Sequence, residues 1–138
     1  MDYKKDNLIR SFLRFITGPF IWFPLPFLIM LDLICELYQF ICFPIYKIKW
    51  LKRSEYILIL DRNKLKYLNP MEKIGCMYCG YTNGALRYMK EVAGLTEKYW
   101  CGIMHENKPG FKTREDQVRQ NFSKFGDEKD FHNKYGKN

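Results

Sequence analysis

The sequence predicts an α+β protein, with N-terminal membrane-associated helices followed by a small metal-stapled domain holding a β-hairpin and short helices. Three observations predict it. A long apolar run near the start carries helical periodicity. Two short β-prone runs flank a polar turn in the middle. Beyond them, Cys76 and Cys79 are answered by Cys101 and His105, a set of soft donors that suits one tetrahedral ion. The same pattern divides the chain into an anchor over residues 1–53, a metal-binding domain over 54–107 and a polar tail over 108–138.

The anchor starts with a basic stretch. Leu8, Ile9, Phe12 and Leu13 share one helical face among Lys4, Lys5, Arg10 and Arg14, as in a helix lying on a membrane surface. The apolar run then meets Pro19, Pro24 and Pro26, which a straight helix does not tolerate. From Phe27 to Ile45 the chain is apolar and about as long as the roughly 20 residues that cross a bilayer. Yet Asp32, Cys35, Glu36, Gln39 and Cys42 recur every three or four residues and draw a polar stripe down it. A carboxylate in hydrocarbon costs about 3 kcal/mol at mid-membrane. The stripe must therefore face water, protein or a partner chain.

Two topologies fit. The helix spans and packs its stripe on another subunit, or the segment dips into or lies along one leaflet. The second is preferred, because Lys47, Lys49, Lys52 and Arg53 follow the run as basic residues precede it, and positive flanks stay in the cytoplasm. Tyr46 and Trp50 stand where interfacial aromatics sit. The net charge of +8 thus hugs the apolar segment and favours anionic lipid. Nucleic acid is not expected, since residues 54–105 are close to charge balance.

After the anchor, residues 55–60 and 64–68 read as two strands around Asp61-Arg62-Asn63, with Asn69-Pro70 ending the pair. Gly75–Tyr81 reads as a metal knuckle, and a helix is expected over Gly84–Gly94. The last dozen residues look unstructured.

Five cysteines, an odd number, and no cleavable leader suggest a reducing compartment. Cys76, Cys79, Cys101 and His105 would form a closed Cys3His set, with zinc favoured over iron, and would leave no open position for catalysis. A reactive dithiol at Cys76 and Cys79 is the alternative chemistry. Tyr78, Tyr81, Glu97, Tyr99 and Trp100 crowd the expected metal site and either wall off a core or line a pocket.

Cys76-Met-Tyr-Cys79-Gly-Tyr81 resembles the knuckle of rubredoxins and zinc ribbons, although the second Cys-x-x-Cys is missing. More broadly, Phe43-Pro44-x-Tyr46, Asp61-Arg62, Tyr67-Leu68-Asn69, Glu72-Lys73, Cys76-x-Tyr78-Cys79-x-Tyr81-x-Asn83-Gly84 and Thr96-Glu97-x-Tyr99-Trp100-Cys101 resemble a group of small uncharacterised bacterial proteins. That resemblance implies a bacterial, membrane-associated chain and no activity. The expectation is a membrane-anchored, zinc-binding interaction or accessory subunit at the cytoplasmic face of the inner membrane. It would contact lipid, and a partner protein or a second copy through the stripe. A membrane-associated dithiol or metal-dependent oxidoreductase is the alternative; no catalytic pair is evident.

Overall fold

The computed structural model describes residues 8–136. Lys4 and Lys5 fall outside them. Among the described residues the elements are α1 (Leu8–Trp22), α2 (Leu25–Tyr46), α3 (Pro70–Trp100), α4 (Glu115–Arg119) and α5 (Glu128–Tyr135), with short 3-10 turns at Arg53–Glu55 and Arg62–Lys64. No strand is present among them; the one β-like contact is an isolated bridge between Ile103 and Ser123. The fold is therefore all-α, and the expected α+β class with its hairpin is corrected.

The first half of the expected hairpin keeps its alternation but finds no partner strand. Ile57 is buried and Ile59 packs behind it, while Leu58 and Leu60 point outward. The second half is consumed by turns: Leu65 N–H bonds to Arg62 O at 3.1 Å, and Leu68 N–H to Leu65 O at 3.5 Å. An isolated two-stranded hairpin is marginal in water, whereas packing Ile57 between two helices removes apolar surface from solvent.

α3 is one 31-residue helix and runs straight through the expected knuckle. Asn69 and Glu72 form a reciprocal capping box at 2.8 and 2.9 Å, and Pro70 takes the first position, where its missing N–H costs nothing. Asn69-Pro70 is thus a helix start. Gly80 and Gly84 do not break the helix; they make a groove on it. A Cβ at Gly80 would sit 2.5 Å from Leu58 O, and one at Gly84 2.6 Å from Tyr56 O and 2.8 Å from Ile57 Cα. The incoming 56–59 backbone lies against helix backbone, which only glycine permits.

α2 and α3 run parallel. Successive contacts join Trp22 to Tyr78, Asp32 to Tyr81, Tyr38 to Thr96 and Tyr46 to Tyr99. The segment between them must therefore return along both helices before α3 begins. Two small clusters fill the seam: Leu28, Ile57 and Ala85, then Phe43, Tyr88 and Val92. Both draw on residues either side of the expected boundary at residue 53.

The C-terminal segment packs on the α3 face turned away from α2. Asp116 is buried, bonds Arg114 and lies 3.2 Å from Lys90 Nζ. The Arg114 hydrogen bonds hold its carboxyl down at about 2. Gly94 admits this carboxylate, since a Cβ there would be 2.8 Å from Asp116 Oδ2. Arg114 and Gln117 also hold Glu97, at 2.8 and 2.9 Å. Far from being loose, the end of the chain forms α5, capped by Asp127 and tied back by Lys134 Nζ to Phe122 O at 3.2 Å. Three layers result: α1 with α2, then the return segment with α3, then residues 101–136.

Gly84→Ala is expected to destabilise by about 1–3 kcal/mol, the usual range for overpacking. Gly75→Ala, where no atom outside the helix lies within 4 Å of the added methyl, is expected to be neutral or stabilising. Urea denaturation of both variants in the same detergent or lipid checks the pair. Equal destabilisation would refute the groove.

Candidate functional site

The site is built around the polar stripe of α2 and the apolar surface on its opposite side. Asp32 is almost wholly buried, at 1% exposure. Arg53 from the return segment grips it with Nε and one Nη, the Nε contacts being 3.1 and 3.2 Å. Tyr81 Oη of α3 donates to Asp32 Oδ2 at 2.8 Å. Charge-assisted bonds of this kind are the strong ones. In return, the Asp32 hydrogen bonds raise the affinity of Arg53 for its proton, and burial, reinforced by the bond to Asp32, pushes the Tyr81 hydroxyl up.

About two helical turns along, Gln39 is fully buried and serves the return backbone. Its Nε2 donates to Leu51 O at 3.0 Å and its Oε1 accepts from Leu51 N at 3.4 Å. An irregular segment inside a fold must have its peptide groups satisfied, and Gln39 does that here. Cys35 packs among Phe43, Tyr88 and Val92. Glu36 stays partly exposed, with its carboxylate 3.9 Å from Arg53 Nε. Cys42 is half-buried. The inner side of the stripe is thus met by the chain's own second layer.

Tyr88 is a different case. Its ring is buried, its hydroxyl has no hydrogen-bond partner, and burial pushes it up to about 12.

The opposite side of α1 and α2 is uncovered. Phe15, Phe20, Leu33, Phe40 and Ile45 are each more than half exposed. Within Phe12–Tyr46 an 18-residue stretch reaches a mean hydropathy of 1.9, and the run is, by length and composition, long and apolar enough to cross a membrane. Pro24 keeps a right-handed helical backbone across the two-residue break, so α1 continues the direction of the apolar surface. An exposed apolar area of this extent is what a membrane or another protein covers.

The expected metal set is not brought together. Cys76 and Cys79 sit early in α3, whereas Cys101 caps its far end. Twenty-five residues of continuous helix, at about 1.5 Å each, put about 37 Å between the ends of the trio. Zinc–sulfur bonds are about 2.3 Å long, so these thiols cannot share an ion in this fold. His105 follows Cys101 on non-helical chain, with its ring 5.6 Å from Phe111. Among the described residues no group of three or more His, Cys, Asp or Glu side chains is placed to hold a metal. All five cysteines are free.

The aromatic cluster is likewise divided. Tyr78 meets Trp22 at 4.8 Å and donates to Ile21 O at 2.6 Å, near Tyr81. Tyr99 and Trp100 gather instead around Tyr46, at 4.4 and 5.8 Å, at the other end of the seam. Glu97 is taken by Arg114 and Gln117. These five residues form no common pocket.

Arg53 is the functional residue that sequence reasoning assigned only to a basic cluster. A signal for it existed: a carboxylate in an apolar helix demands a guanidinium, and Arg53 is the one arginine among the lysines that follow. Compared with known proteins, the chain matches no family model, no curated protein and no solved structure.

Asp32→Ala is expected to destabilise by about 3 kcal/mol, because it strands Arg53 against a closed seam. Asp32→Asn, which keeps the hydrogen-bonding shape, is expected to cost less. Thermal melts of both variants rank them, and the reverse order would sink the clamp. Separately, the purified full-length chain is expected to hold well under one zinc per molecule and to melt at the same temperature with and without EDTA. One tightly held zinc whose removal unfolds the chain would overturn the geometry given above.

Proposed function

We propose that this chain is a membrane-docked accessory or interaction module that lies along one leaflet, with both ends on the same side. α1 and α2 rest in the interface. The layer of residues 101–136 stands above them and offers its polar surface to a partner. The cytoplasmic face of a bacterial inner membrane is the proposed location. Basic residues on both flanks of the apolar run favour the cytoplasmic side, and the bacterial setting follows the resemblance set out above.

One observation carries the reading: the stripe of α2 is closed by α3 and by an irregular return segment packed parallel to it. If α2 stood upright in the bilayer, both would stand with it. The return segment would bring Lys52, Arg53, Glu55, Asp61 and Arg62 into hydrocarbon, and α3 would bring Arg87, Lys90 and Glu91. Each charge costs about 3 kcal/mol at the centre on insertion scales, and non-helical backbone is not tolerated against lipid. Lying flat removes both penalties. An amphipathic element in the interface sinks about 5–10 Å, which suits the outward side of α2 and leaves the seam above it.

The module presents no catalytic constellation in this reading, and zinc has no part in it. Its work is to hold a folded polar surface at the membrane. The Arg114, Asp116 and Glu97 network fixes that surface to α3.

Vesicle flotation with lipids brominated along the acyl chain tests this. The full-length chain is expected to float with the vesicles. With one tryptophan kept at a time, Trp22 is expected to be quenched strongly and Trp100 weakly. A sealed-vesicle protection assay is expected to find Cys79 and Cys101, both exposed, open to an impermeant maleimide from the same side. Labelling from opposite sides would refute the in-plane arrangement.

A further inference from the structure

The apolar surface does not end with α2. A groove of about 470 Å³ separates Trp22 and Ile29 from Ile74 and Met77 of α3, and apolar side chains line both banks. Beyond its far bank the chain continues to expose large apolar groups. Met71 is 76% exposed and Tyr67 79%, and Leu58 and Leu60 project from the same loop. Buried neighbours account for Ile57 and Ile59, but nothing in the fold accounts for these four.

Cations are interleaved with them. Arg62, Lys64 and Lys66 are exposed and Lys73 is half-buried. None of the four is paired with a carboxylate among the described residues. The two local carboxylates already serve backbone N–H groups: Asp61 accepts from Arg62 N at 2.8 Å, and Glu72 from Asn69 N at 2.9 Å. Some cations elsewhere do have carboxylate partners. Arg53, Lys90, Arg114, Arg119 and Lys134 are all held by acidic partners. Apolar tips with unpaired lysines between them suit a bilayer surface, where the tips enter the acyl boundary and the ammonium groups meet phosphate.

We propose that the Leu58–Asn69 loop and the first turn of α3 form a second membrane contact, and that its ligand is an anionic phospholipid surface. The inference rests on the in-plane reading and adds a residue set and a lipid class to it. The occupant is fixed by charge complementarity. Arg62, Lys64, Lys66 and Lys73 stand among exposed apolar side chains with no carboxylate partner among the described residues, and each lysine near an anionic surface contributes to attraction.

The test uses the full-length chain with Trp22, Trp50 and Trp100 each changed to Phe, and with Tyr67→Trp as the single reporter. It is mixed with phosphatidylcholine vesicles, with or without about 30% phosphatidylglycerol, a level that gives a substantial negative surface potential. In the presence of phosphatidylglycerol the position-67 indole is expected to shift to the blue and to be quenched by shallowly brominated lipid. The charge arm is Lys64→Gln, Lys66→Gln and Lys73→Gln together in the natural-tryptophan chain. It is expected to lose at least roughly tenfold in partitioning to the anionic vesicles and little to the neutral ones. If the chain floats but position 67 stays solvent-exposed, the second contact is refuted and the in-plane reading stands. If it enters both vesicle types alike and the triple variant partitions unchanged, the lipid class is refuted. If the chain does not float at all, both fall.

Discussion

A carboxylate on the apolar helix has to be neutralised from within the protein, and Asp32 imposes that condition on everything around it. Arg53 and Tyr81 meet it from two different segments. Arg53 lies twenty-one residues after Asp32, so the chain leaving α2 must turn back to deliver it. Once it has turned back, the next helix can only run parallel to α2. The return segment then needs a track, which Gly80 and Gly84 provide, and a partner for its peptide groups, which Gln39 provides. A buried ion pair is a poor source of net stability, because desolvation offsets much of the attraction. Its value here is positional: it sets the register of three segments at one point.

The parts of this arrangement differ in how plainly the sequence announces them. Much of the stripe is legible, because Asp32, Cys35 and Gln39 follow the helical period and turn inward toward α3 and the return segment, while Glu36 and Cys42 stay partly exposed. The start of α3 was equally open to reading, since Asn69-Pro70-Met71-Glu72 is a capping box with proline in first position. Proline alone reads as a break; the flanking Asn69 and Glu72 make it a helix start. Cys76-x-x-Cys79 was ambiguous for a physical reason. Residues three apart share a side in a tight knuckle and also on an α-helix, so the spacing does not separate the two. Gly80, which resembles a knuckle glycine, serves a close approach that only long-range packing reveals. Residues 56–60 alternate as a strand would, and the alternation is real. What is missing is a ladder partner, and no local pattern reports on that.

The tail shows the same division. α4 occupies Glu115–Arg119 of the polar tail. That the tail packs at all depends on Arg114 reaching both Glu97 and Asp116, and on Gly94 leaving room for the carboxylate. Arg114 and Glu97 are 17 residues apart and Gly94 and Asp116 are 22 apart, and neither pair carries a periodicity. Polar composition alone reads as solvated chain. Here it is a layer bound by ion pairs to the α3 face that the apolar residues leave free.

A short chain buries too little surface to be comfortably stable without extra support. The two core clusters are indeed modest, with three buried residues each. Yet the fold leaves its largest apolar area outside, on α1 and α2, instead of folding it inward. That choice is costly for a protein surrounded by water on every side and costs nothing for one resting on lipid. Removing that surface from water is worth about 25 cal/mol for each Å² covered, and in the in-plane arrangement proposed above the bilayer covers it. In that arrangement the clamp at Asp32 keeps the helices flat, because standing α2 upright would drag Arg53 and the return backbone into hydrocarbon. On that proposal membrane contact and internal packing support each other: the seam fixes the helix orientation that lets lipid complete the fold, and lipid supplies the burial that the seam is too small to provide.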